Sequence, residues 1–189
     1  MTKPTANLRL FVAAYPPPDL AHALVSSLAN LDLPPHQPTR PDQVHMTLQF
    51  IGDTPAADVP DVLESVRRAT GGLAPFGLAV EDLITLPKKG PARLIAARTD
   101  APSTLLELQR RLVLRLANVT RDKANDRFLP HMTLLRFRAP TPLGRLPENP
   151  GFRSAGGPFA VTQIRVMRST LHPTGAEHRL VEAVELAAR

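Results

Sequence analysis

The chain has no cysteine and no tryptophan, and its aromatic side chains are seven phenylalanines and one tyrosine. Without cysteine there is no disulfide, no thiolate metal site and no cysteine nucleophile. So few aromatics leave few platforms for reading single-stranded bases by stacking. No apolar run approaches the ~18 residues that a membrane span needs. The N-terminal run Leu10–Tyr15 is too short for a signal-peptide core and runs into prolines. These absences lead us to expect a cytoplasmic protein with no membrane partner. Acidic residues are also in deficit, 17 against 23 basic ones, with a formal net charge of +6 and a pI of about 10.7.

What is present suffices for a packed core. Hydrophobic residues make up 43% of the 189, and mean hydropathy is −0.10. This length fits one domain, residues 1–189, or two small lobes sharing a core. Nineteen of the basic residues are arginine and four lysine. The guanidinium fork suits phosphate, so RNA or a phosphorylated partner fits the charge. A chain this rich in Ala, Pro and Arg can also use arginine as a generic surface residue, so the charge alone does not decide.

The tetrapeptide His-Met-Thr-Leu occurs twice, at His45–Leu48 and His131–Leu134. Both copies sit in apolar, strand-like runs. Around them the order is strand, helix, strand: Leu8–Tyr15, a helix with Leu20, Leu24, Leu28 and Leu31 on one stripe, then the first copy after the loop Pro34–Pro41. A helix near Ala57–Ala69, with Gly71-Gly72 as its stop, and a strand at Phe76–Ile84 follow. The pattern then recurs as strand Arg93–Arg98, a helix from Ser103 with Leu105, Leu108, Leu112, Leu116 and Val119 on one face, the basic loop Arg121–Arg127, and the second copy. A Pro/Gly-rich loop, Ala139–Pro158, and strands at Phe159–Arg168 and near His178–Leu186 close the chain. Matched position plus an identical tetrapeptide points to an internal duplication: a bilobal molecule about a pseudo-two-fold axis.

Side chains on a strand alternate faces. Val44, Met46, Leu48 and Phe50 therefore share an apolar face, and His45, Thr47 and Gln49 the opposite one. In the second copy Met132 and Leu134 face the core, opposite His131 and Thr133. Each motif delivers an imidazole and a hydroxyl to one side of its sheet. Two imidazoles at one site can act as general base and general acid, because histidine exists in both protonation states near neutral pH. The chemistry this suits is opening a cyclic phosphodiester, with the threonine hydroxyls on the phosphate oxygens. No metal or cofactor is needed, and a two-histidine metal site would lack a third ligand in either motif. His22 and His36 have no comparable partner and are expected on the surface.

Four segments resemble a known family. Arg9-Leu-Phe-Val-Ala13 is similar to its opening strand, and Arg40–Asp53 to its first signature. Phe128–Arg136 is similar to its second, and Ser169–Gly175 to its C-terminal segment. The chain resembles the bacterial and archaeal 2′-5′ RNA ligase family, also called RNA 2′,3′-cyclic phosphodiesterases, of the two-histidine phosphoesterases. The resemblance covers nearly the whole chain. It implies an α+β fold, with two antiparallel sheets facing a central cleft and helices outside. It implies His45 and His131 as catalytic residues, His45 as acid on the 3′-oxygen and His131 as base on water. Thr47, Thr133 and Arg136 would bind phosphate. The implied substrate is an RNA or nucleotide with a 2′,3′-cyclic phosphate end, opened to a 2′-phosphate, with 2′-5′ ligation as a reverse reaction. A monomer is expected. Strict alternation puts Arg136 on the Met132 face, so a role at the site requires a bulge or a strand end there. After Gly175 the family often has a tyrosine where this chain has His178.

Two other readings compete. One is a non-catalytic basic RNA-binding module. The other is the same site acting on a small cyclic phosphate, such as an ADP-ribose cyclic phosphate.

Overall fold

The computed structural model describes residues 7–119, 128–143, 146, 152, 158–172 and 175–188. Strand β1 (Asn7–Ala14) is apolar on both faces, so both must be covered. Leu10, Val12 and Ala14 enter the main core, whereas Phe11 and Ala13 form a small second cluster with Met167 and Tyr15. Pro18 opens helix α1 (Pro18–Ser26) at a position where its missing N–H is harmless. This helix stops short of the expected Leu31. Ser27 Oγ donates to the Leu24 carbonyl at 2.7 Å, and Leu28 and Ala29 donate three residues back at 3.1 Å. Such bonds tighten the last turn and end the helix, yet Leu28 remains buried.

The proline-rich segment expected as loop contains a short strand, β2 (His36–Pro38). It lies at a sheet edge, where proline is tolerated. There follow β3 (Met46–Pro55), α2 (Val59–Thr70), β4 (Phe76–Leu78), β5 (Val80–Leu86), β6 (Ala92–Thr99), α3 (Ser103–Leu116), β7 (His131–Thr141), β8 (Phe159–Val161), β9 (Gln163–His172) and β10 (Gly175–Glu185). The single strand expected at Phe76–Ile84 is two. Ala79 separates them, its N–H donating to the Asp100 carboxylate at 2.7 Å. Val119 falls beyond α3 and is exposed rather than on its buried stripe. The loop Arg121–Arg127 lies outside the described residues. Of Ala139–Pro158, residues 139–141 extend β7 and Phe152 is buried.

The fold is α+β with two antiparallel sheets. The larger has the order β10-β9-β1-β3-β7-β6-β5, with β2 also on β7; the smaller is β4-β8. Buried residues of all three helices share one cluster with Leu10, Val12, Met46, Leu48, Ile95, Ala97, Met132 and Leu134. The helices thus cover one face of the large sheet. The two halves of this sheet meet where β3 pairs with β7 at Met46 and Met132, the centres of the two tetrapeptides. Both methionines are buried on the helix side, so the histidines and threonines flanking them point to the other side.

Irregular register matters more here than regular strand. On β3 the pairing with β1 slips by one residue at Leu48 and again at Ile51. Gly52, at φ 85°, sits beside the second slip in the left-handed region that glycine tolerates. On β7 the pairing with β6 slips at Leu134. Each slip reverses the alternation beyond it.

Candidate active site

Both histidines are anchored in the same way. His45 Nδ1 lies 2.7 Å from the Gln43 carbonyl, and His131 Nδ1 lies 2.7 Å from the Leu129 carbonyl. A carbonyl can only accept, so each Nδ1 carries a proton. Each Nε2 is then the atom left for chemistry, an acceptor when the ring is neutral and a donor when it is charged. Antiparallel pairing through Met46 and Met132 sets His45 across from Thr133, and His131 across from Thr47. All four side chains are half-buried.

Arg136 joins them through the bulge. Pairings at His131–Arg98, Thr133–Ala96 and Arg136–Leu94 place these three β7 residues opposite alternate residues of β6, hence on one face. Leu134 and Leu135 are both buried, as two consecutive core residues at a bulge should be. The guanidinium of Arg136 bears electrostatically on both His45 and His178. Its side chain is reachable by solvent, but the surrounding wall desolvates it enough to lower its pKa. An arginine remains charged regardless.

Phe50, expected in the core, is 39% exposed, while Ile51 is buried. The slip at Leu48 moves Phe50 onto the histidine face, where it pairs with Phe11 and stacks on it at 5.8 Å. Arg9 lies over the Phe50 ring at 5.8 Å. Phe50 and Arg136 each stand five residues after their histidine, carried to the same face by the same bulge.

The surroundings of His45 are aromatic. Phe11 lies at 5.0 Å, Tyr15 at 5.4 Å and His178 at 5.0 Å. Burial among these rings pushes the His45 pKa down to about 4, and the charges of His178, Arg136 and His131 act in the same direction; the Gln43 carbonyl opposes them. Burial also lowers His178, with Arg136 adding to the effect and Asp42 opposing it. Tyr15 is pushed up to about 12 by burial, despite the Arg165 guanidinium 4.8 Å above its ring. Next to His131 the setting is ionic: Arg98 is held by Asp82 at 2.7 and 3.0 Å and by Glu81 at 3.0 Å.

His22 is exposed, as expected. His36 is half-buried, bonded to the Pro34 carbonyl at 2.8 Å and edge-on to Phe137. Among the described residues, no three His, Asp or Glu side chains gather as a metal would require, and no helix is long and apolar enough to cross a membrane. From the sequence, Tyr15, Arg98 and Phe50 are not expected beside the histidines, and position 178 stands out only as a histidine where the family often has a tyrosine. The one local signal was the parity of Phe11, Ala13 and Tyr15 along β1.

Known proteins share this architecture. The crystal structure of TT0787 from Thermus thermophilus superposes with a TM-score of 0.81 at 27% identity, covering 96% of this chain and 99% of that one. E. coli LigT complexed with 3′-AMP has the same fold at TM-score 0.81 and 22% identity, covering 95% and 98%. In sequence, an RNA 2′,3′-cyclic phosphodiesterase of T. thermophilus is 28% identical over 186 residues, 95% of this chain and 90% of that protein. One from Methanothermobacter thermautotrophicus is 26% identical over 148 residues, 77% and 80%. The family described as the 2′-5′ RNA ligase superfamily matches residues 16–172. The chain belongs to that superfamily.

Proposed function

We propose that this protein hydrolyses the 2′,3′-cyclic phosphate end of RNA to a 2′-phosphate, using two histidines and no metal. The observation that carries this reading is the pairing of the two His-x-Thr strands at Met46 and Met132, with each Nδ1 tied to a carbonyl and each Nε2 left free of that bond. Relatives named RNA 2′,3′-cyclic phosphodiesterases over most of the chain support it.

The roles of acid and base follow the family resemblance. His131 takes a proton from water as the water oxygen bonds to phosphorus. The bond from phosphorus to the 3′-oxygen breaks, and His45 gives that oxygen a proton. The products are a 3′-hydroxyl and a 2′-phosphate. Thr47, Thr133 and Arg136 hold the non-bridging oxygens. Such donors act best where charge grows in the transition state. An RNA 5′-hydroxyl in the place of water would turn the same site to 2′-5′ ligation.

His45 with a pKa of about 4 is neutral in the free protein at pH 7. Besides burial, neighbouring groups hold it down electrostatically, the Arg136 guanidinium among them. A bound phosphate anion offsets them and lets His45 take up the proton it must donate. Phe50, exposed and backed by Phe11, is the ring on which the terminal nucleobase would stack.

The test is to incubate the protein, in excess EDTA, with an RNA ending in a 2′,3′-cyclic phosphate and identify the product. A 2′-phosphate is expected. Activity abolished by EDTA and restored by a metal would overturn the metal-free scheme. Turnover of ADP-ribose cyclic phosphate but not of RNA ends would move the substrate to small cyclic phosphates.

A further inference from the structure

One ring around His45 comes from the far end of the chain. His178 lies on β10, the outermost strand of its half, with β9 and β1 between it and β3. Three strand spacings on a flat sheet would be ~14 Å. The His178 and His45 rings are 5.0 Å apart at 79°, and His178 meets Phe11 at 4.8 Å and 69°. Sheet curl and side-chain reach therefore bring a third imidazole edge-on against the first.

Two buried side-chain polar atoms among the described residues have no hydrogen-bond partner, Tyr15 Oη and His178 Nδ1. Both belong to rings packed on His45. Buried polar groups are nearly always bonded, so a pair of exceptions on one catalytic ring calls for a functional account. Packing alone does not supply one, since a phenylalanine would fill the place of His178 without an orphaned nitrogen.

We propose that His178 is a positioning residue for His45, pinning that imidazole against Phe11 and Tyr15 and, together with Arg136, supplying the positive charge that meets the substrate phosphate. The inference rests on the reaction proposed above. The charged and titratable groups around His45 fit it. From β7 come His131 and Arg136, from the segment before β3 comes Asp42, and β9 supplies Arg165 over Tyr15. On β10 the neighbouring Glu177 is engaged with Arg179 and His172. Arg136 acts on both imidazoles, and Asp42 supports the charged form of His178. His178 can thus gain a charge when an anion arrives, which a phenylalanine cannot.

The decisive variant is His178→Phe, which keeps a ring and removes its nitrogens. Imidazole signals followed by NMR across pH report on His45 whether or not the protein turns over substrate, and the His131 signal serves as a check that the fold persists. Removing the electrostatic influence of His178 should move the His45 titration to higher pH. Affinity for inorganic phosphate should fall roughly tenfold, the scale of one lost charge-assisted contact, with a parallel fall in kcat/KM on cyclic ends. His178→Gln, which can donate but not titrate, should recover part of the phosphate affinity and not the wild-type titration. An unchanged His45 titration and unchanged phosphate affinity in His178→Phe would overturn the proposal. Wild-type protein inert on cyclic ends, with the His45 titration still moved by His178→Phe, would overturn the reaction while leaving the positioning role standing.

Discussion

The two His-Met-Thr-Leu segments are identical in sequence, in their Nδ1-to-carbonyl anchor and in the bulge that follows the threonine. Their neighbours are not alike. On β1, Ala13 pairs with Thr47 and Ala14 with Met46, so Tyr15 is the residue that comes alongside His45. On β6, Ala96 pairs with Thr133 and Ala97 with Met132, and the residue beside His131 is Arg98. One histidine sits in a box of rings, the other next to an ion-paired arginine. The proposed reaction uses one imidazole as acid and one as base, and it is the adjoining strands that give the two different surroundings. Motif identity fixes where each nitrogen points; at His45 the surrounding rings also make it hold a proton less readily.

Removing either imidazole is the severest way to break this comparison. His45→Ala and His131→Ala should each lower kcat/KM on cyclic ends by roughly 10²–10⁴-fold, the usual scale for a lost acid or base. In the proposed reaction the two act as a unit, so the double variant should be little worse than the singles. Near-wild-type rates in one single variant would mean that only one histidine serves, and the comparison would lose its meaning.

The ring box should also be visible in stability. Its depressed pKa, about 4 against an ordinary 6.5, means the folded protein favours neutral His45, while the unfolded chain takes up its proton first as pH falls. The stability tied to this group is therefore whole above pH 6.5 and lost as pH falls from 6.5 through 4. The loss amounts to ~3 kcal/mol at most, an upper figure because the ring is only half-buried. Urea unfolding at pH 7 and pH 4.5 should show a smaller drop for His45→Gln than for wild type. Equal drops would mean that the rings do not desolvate His45.

On the same side, Phe50→Ala removes the exposed ring. KM for RNA ends should rise about tenfold, within the ~1–3 kcal/mol that one base stack contributes, with a smaller change in kcat. Phe50→Tyr should restore KM. An unchanged KM would leave Phe50 as no more than support for Phe11.

Much of the candidate site was legible in the chain because it is local. The repeat, the apolar alternation around Met46 and Met132 and the proline stops locate both histidines and both threonines without reference to any contact. Arg136 and Phe50 lay at the limit of that reasoning. Alternation assigns them to the core side, and only a bulge, a feature of how two strands register, moves them across. Tyr15 and His178 lay beyond it. Nothing near position 178 shows that its ring will meet one 133 residues earlier; that depends on the curl of a sheet built from both ends of the chain. The strand His36–Pro38 was hidden for a related reason. Its pairing is supplied wholly by β7, against a local composition that signals loop.

The smallest expected effect concerns the ionic side. Asp82→Asn removes one carboxylate holding Arg98, leaving Glu81 at 3.0 Å. Both acids and the arginine are well exposed, at 38–49% of their side-chain surface. Solvent screens such pairs, and they contribute ~1 kcal/mol or less. Stability in urea should therefore fall by no more than that, and kcat/KM should change by less than about threefold. A larger change in kcat/KM with unchanged stability would show that Arg98, released from Asp82, acts on His131 or on the substrate phosphate. The two surroundings would then differ in kind, one setting the protonation of its histidine by burial and the other by a charge whose position matters to turnover. A small change would leave Arg98 as strand-to-strand support, and the asymmetry between the two histidines would rest on the ring box alone.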